Sequence, residues 1–86
     1  MGYDTILWDL DDDREGNVRH CRDHGVTKEE VEEVLGRPTD IDISRSTGRP
    51  VAFGETRNGR QIMVVYEEVD AATVYPITAY EVPRRG

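Results

Sequence analysis

Only one cysteine, Cys21, occurs in the chain. No internal disulfide can therefore brace the fold, and the composition is compatible with a reducing cytoplasm. Long apolar runs are also missing: the longest, from Ile62 to Tyr66, is five residues. That is strand length, far short of the roughly 20 residues needed to cross a bilayer, so no membrane partner is expected. The opening MGYDTILWDL has neither the basic start nor the extended apolar stretch of a secretory signal. Ile6 stands where a myristoylation motif wants Ser or Thr. These absences together point to a cytoplasmic protein.

A positive balance is lacking too. The formal charge is −7, which argues against general affinity for nucleic acid, since that rests on neutralising phosphates. The total hides an asymmetry. Residues 1–43 hold 13 acids and 5 bases, whereas residues 44–60 hold Arg45, Arg49, Arg57 and Arg60 against Glu55 alone. A local arginine patch of this kind can engage a phosphate or an acidic partner. With 36% hydrophobic and 34% charged residues, the chain is neither disordered nor membrane-like, and residues 1–86 suit one domain with a single modest core.

Two clusters invite a metal reading. Asp9, Asp11 and Asp13 have the spacing of a calcium loop, but its sixth position must be Gly and is Arg14, and its twelfth should be Glu and is His20. An acidic first helical turn, complementing the helix dipole, accounts for the run more simply. His20, Cys21, Asp23 and His24 suggest zinc. On a helix whose apolar stripe is Val18 and Cys21, however, His20 lies about 130°, His24 about 90° and Asp23 about 170° from the stripe's centre, so the four donors diverge. No metal and no cofactor is expected.

The elements read as follows. Tyr3–Trp8 is a short β-prone opening. A first helix is predicted from Asp13 to His24, ended by Gly25. A second starts at Thr27, whose capping box with Glu30 and staple of Val26 on Val31 are strong start signals. It ends at Gly36, and Pro38 forbids continuation. Strands are predicted at Asp40–Arg45, Val51–Thr56, Gln61–Glu67 and Thr73–Val82. Asn58-Gly59 between the second and third of these predicts a tight hairpin with a type I′ turn. Pro76 inside the last predicts an edge position or a bulge. The fold class is therefore α+β: a short N-terminal strand, two helices, then a four-strand antiparallel meander with the helices packed on one sheet face.

Trp8-Asp9, the following Asn17, HGVT-x-EEVEEVL from His24 to Leu35, Gly59-Arg60 leading into VVYE, and a final ITAYE strand occur in an order that resembles the BrnT family of toxins. These belong to type II toxin–antitoxin pairs within the wider RelE-like ribonuclease fold, and the resemblance covers most of the chain. It implies a metal-independent endoribonuclease of the bacterial cytoplasm, neutralised by a cognate antitoxin that docks on the active face. It leaves the oligomeric state open.

RNA cleavage on such a fold needs a base for the 2′-hydroxyl, an acid for the leaving oxygen, and cations for the developing charge. Arg60 and Arg49, with His24 and Tyr80, are the candidate catalytic residues; Arg45, Arg57 and Tyr66 are candidate RNA contacts. Tyr66 is a further candidate acid, and Glu67 or Glu81 a candidate base if desolvated. The plainer reading of the arginines is a solvated rim on turns, and of Tyr66, Tyr75 and Tyr80, sheet packing with a polar tip. Asp23 stands where the family usually has Lys, and Ala79, Tyr80 and Glu81 where its final strand usually carries arginines. With the acidic balance, this supports an alternative: a catalytically inactive protein-interaction domain on the same fold.

Overall fold

A computed structural model describes residues 4–83. The element order is β1 (Thr5–Ile6), α1 (Asn17–Asp23), α2 (Lys28–Gly36), β2 (Asp40–Ile43), β3 (Pro50–Glu55), β4 (Gln61–Asp70) and β5 (Thr73–Glu81). The class is α+β, but the sheet has five strands rather than four, in the order β1-β5-β4-β3-β2. The short opening strand joins this sheet as a parallel neighbour of β5, so the sheet is mixed and the antiparallel meander β2–β5 is only part of it. The Thr5 and Leu7 amides make the join, donating to the carbonyls of Ala72 and Val74 at 3.0 Å each.

Local chemistry explains the helices. Thr27 Oγ1 accepts from the Glu30 amide at 3.2 Å and Glu30 Oε1 accepts from the Thr27 amide at 3.0 Å, a complete capping box. Val26 and Val31 are both buried, as the staple requires, and Val34 and Leu35 extend their stripe into the core. Gly36 is the last helical residue and has no positive φ; the cap is Arg37, so the glycine does not terminate the helix in the expected way. At the end of α1, by contrast, Gly25 has φ +77°, and the Val26 and Gly25 amides donate to the carbonyls of Cys21 and Arg22. That is a Schellman motif.

α1 starts later than predicted and has no acidic first turn. Asp13 accepts the Glu15 amide on its own carboxylate at 3.0 Å, an Asx turn that diverts the backbone from helical geometry. The chain becomes helical only after Gly16, where an added Cβ would lie 2.7 Å from the Asp9 Cβ.

α1 packs on β5 and α2 on β3 and β4. Register then assigns the sheet faces. Ala52, Ile62, Val64, Tyr66 and Ala79 are buried beneath the helices. The pairs Val51↔Val65 and Phe53↔Met63, with Thr78 and Tyr80 on β5, turn to the opposite, helix-free face. Pro76 does sit at a bulge: Val65 pairs with Thr78 but Tyr66 with Pro76. It also lies on an edge stretch: β1 pairs with β5 only at Thr73 and Val74, so among the described residues no strand flanks Pro76 on its outer side. The β3–β4 hairpin forms where Asn-Gly predicts it, but not as type I′. Among the described residues only glycines have positive φ, so Asn58 stays in the ordinary region. Thr56 donates to the Arg60 carbonyl at 2.9 Å and Gly59, at φ +84°, donates to Thr56 at 2.9 Å. The result is a three-residue loop closed by a left-handed glycine.

Candidate functional site

Three of the four candidate catalytic residues meet at one corner. His24 caps α1, and its ring centroid lies 5.5 Å from that of Tyr80, with the planes tilted by 55°. Beyond Val74, β5 has no strand on its outer side among the described residues, and Tyr80 reaches His24 along that uncovered stretch. Arg60, at the foot of the hairpin, binds next to His24: its Nη1 donates to the Gly25 carbonyl at 3.0 Å.

Arg60 is nevertheless already engaged. Nη1 donates to both Glu30 oxygens, at 2.8 and 2.7 Å, and Nη2 donates to Glu81 at 3.4 Å. Asn58 adds a longer contact to Glu30 at 3.4 Å. Burial disfavours the charged form of Glu30, but the Thr27 amide, Arg60 and Asn58 together outweigh it and hold the carboxyl below its ordinary value. Its hydrogen bonds to Glu30 in turn hold the Arg60 guanidinium more firmly charged, against the opposing effect of burial. Among the described residues one cation thus faces two carboxylates here, and Arg60 has no surplus positive charge for a phosphate.

The remaining candidates disperse. Arg49 pairs with Glu67 at 3.3 Å on the helix-free face, whereas Arg60 reaches α2 on the other face. The six residues of β3 separate them, about 20 Å at strand rise. Arg45 is exposed on the β2–β3 turn. The Arg57 side chain is 96% exposed, with Glu33 at 4.0 Å. Tyr66 is a correction: at 1% exposure it lies in the core beneath the helices and offers no surface to RNA, because register turns it inward with Val64 and Ile62. Glu67 and Glu81 are about half exposed and paired with Arg49 and Arg60, so neither is a desolvated base.

Around the His pair, Cys21 is buried and its thiol is pushed up to about 11 by desolvation, which leaves it an inert core residue. Asp23 pairs with Arg19 at 2.9 Å and faces solvent. Among the described residues no group of three His, Cys, Asp or Glu stands together as metal ligands. A concavity of about 560 Å³ lies at the far end of α2, between Glu32, Glu33, Arg37 and Arg57; of the candidate residues only Arg57 lines it.

Sequence reasoning missed a polar junction. Asn17 is buried and makes four hydrogen bonds: its Oδ1 accepts from the Asp9 amide, its amide donates to Asp9, and its Nδ2 donates to the Leu7 and Pro76 carbonyls, all at 2.9 Å. Tyr75 donates its hydroxyl to the same Asp9 carboxylate. That bond, then the Asn17 amide, holds Asp9 below its ordinary value, and Asp9 pushes Tyr75 up to about 12. Trp8 Nε1 donates to Glu32 at 3.0 Å. The Trp-Asp and Asn signals therefore fasten the N-terminal segment to α1, α2 and β5. A polar residue at the start of a helix marks an end, but nothing in eight-residue spacing reveals a reciprocal pair. Comparison with protein-family models, curated proteins and solved structures finds no match to this chain.

Proposed function

We propose that this chain is a non-catalytic protein-interaction domain on a toxin-like α+β fold. The observation that carries the reading is the engagement of Arg60, which stands beside His24 and Tyr80, by Glu30 and Glu81. Transition-state stabilisation of a phosphoryl centre requires a cation aimed at the developing charge, not one saturated by the protein's own carboxylates. The test is purified protein incubated with total RNA, alongside induced expression in a bacterial host. Intact RNA and unimpaired growth are expected. RNA cleavage by the native chain that His24→Ala abolishes would overturn the reading.

The ring contact between His24 and Tyr80 favours a second reading, a BrnT-like, metal-independent endoribonuclease silenced by an antitoxin. There His24 would take the 2′-hydroxyl proton and Tyr80 would protonate the leaving oxygen. Arg60 would have to leave Glu30 or Glu81 to meet the phosphate, with Arg49, Arg45 and Arg57 as outlying contacts. The same assay separates the two, since only this reading makes growth arrest depend on His24 and Tyr80.

A further inference from the structure

We infer that the helix-free face of the sheet docks a basic amphipathic helix of a partner protein; this rests on the reading of the chain as an interaction domain. At the centre of that face, Phe53 pairs with Met63 and Val51 with Val65 on adjacent strands. Phe53, Met63 and Val65 remain half-buried, although the equivalent positions on the other face are sealed beneath α1 and α2. In α+β domains the helices cover one sheet face and the other commonly meets water, where polar side chains are the rule. The apolar side chains lie on β3 and β4, one strand spacing or about 5 Å apart, with Val51 itself buried and Thr78 and Tyr80 beside them on β5.

The rim sets the partner's charge. Register places Asp40 opposite Phe53 and Asp42 opposite Val51 on the edge strand β2, while Glu67 lies on the central strand β4, two residues beyond Val65. Arg49, a cation on this face, is held by Glu67 at 3.3 Å. An apolar centre with a carboxylate rim attracts basic side chains flanking an apolar stripe, and it repels RNA.

Strand addition at the β2 edge is blocked. Ser44 donates to the Arg49 carbonyl, so alternation turns the amides of Asp42 and Asp40 inward and those of Ile41 and Ile43 away from the sheet. Those outward amides already donate to the carboxylates of Asp40 and Asp42, at 2.9 and 2.8 Å. The partner therefore settles on the face and not along the edge.

The experiment uses the isotope-labelled full chain and synthetic helical peptides sharing one leucine stripe, flanked by either Lys or Glu, with a single-stranded RNA oligonucleotide as a third probe. The Lys peptide is expected to shift the signals of Phe53, Met63 and Val65, and to lose about tenfold or more in affinity against D40N/D42N, which removes both charges but keeps the capping oxygens. Met63→Asp, on the exposed side of the sheet, is expected to abolish binding. Equal binding of the Lys and Glu peptides, shifts confined to α1 and α2, RNA shifts on this face, or no peptide binding would each overturn the inference. RNA cleavage would instead overturn the interaction-domain reading, with the peptide result judged separately.

Discussion

Arg60 Nη1 stands 2.7 Å from Glu30 Oε2, and through this contact the β3–β4 hairpin is locked to the first turn of α2. The Glu30 side chain is 9% exposed, so removing its partner strands a charge out of reach of water. Arg60→Ala should lower stability by about 2 kcal/mol, below the value for a fully buried pair because Arg60 is itself partly solvated. Glu30→Ala should lose about 1 kcal/mol more, since the capping box goes as well. Urea midpoints at neutral pH test both. Glu30 is held below its ordinary 4.5, so its contribution is fully present above that pH and is lost as pH falls through the lower folded-state value. Arg60→Ala should flatten that acid limb.

Tyr75 and Asp9 form the second titrating pair. Tyr75→Phe removes the largest influence holding Asp9 below its ordinary 3.8, so the Asp9 value should rise. The folded-state depression supplies stability above the unfolded value and loses it in acid; the variant should therefore unfold at a higher pH than the native chain. Carboxyl carbon shifts followed by NMR across acid pH report Asp9 directly, and an unchanged titration would refute its coupling to Tyr75.

Thr78 carries a buried hydroxyl oxygen with no hydrogen-bond partner. Replacing it with the isosteric Val removes an unsatisfied polar group without changing shape. Thr78→Val should stabilise the protein by about 1 kcal/mol, read as a raised melting temperature. A lowered melting temperature would mean that the hydroxyl is satisfied.

Gly25 and Gly36 isolate backbone strain, because an added Cβ meets nothing within 4 Å at either position. Gly25 has φ +77°, whereas Gly36 is helical. Gly25→Ala should cost about 1–2 kcal/mol, and Gly36→Ala should gain about 0.5–1 kcal/mol. Opposite signs in chemical denaturation are the expected result.

Asp40 and Asp42 guard the β2 edge. Alanine at both positions frees the outward amides of Ile41 and Ile43, and unpaired edge amides template pairing with another chain. D40A/D42A should sediment as larger, concentration-dependent species than D40N/D42N, in which side-chain oxygens can still accept. Identical sedimentation of the two variants would contradict the guarding role.

Much of the framework was legible in the letters, and the failures have identifiable causes. The Thr27–Glu30 box and the Gly25 stop act within one helical turn, so short-range chemistry reveals them. The start of α1 was misplaced because the Asp13 Asx turn competes with helix, and the same Asp residues look like good helix openers. The hairpin's place was readable, but its type was not: Arg60 donates from its amide to Thr56 Oγ1 at 3.1 Å, and this closes a longer loop than Asn-Gly alone implies. Of the candidate site, the meeting of His24 with Tyr80 joins two elements far apart in the chain, and periodicity carries no information about it.

Taken alone, the sequence determined where the chain turns, where α2 begins, that Pro76 breaks the ladder, and that two helices precede a run of strands. These depend on φ, capping and side-chain alternation over a few residues. Tertiary structure decided which face each strand residue occupies, that β1 closes the sheet beside β5, that Tyr66 is core, and that Arg60 belongs to Glu30. Those outcomes depend on register and on contacts between residues such as Asn17 and Pro76, 59 positions apart. Burial converts such contacts into energy, and burial exists only once the helices have settled on the sheet.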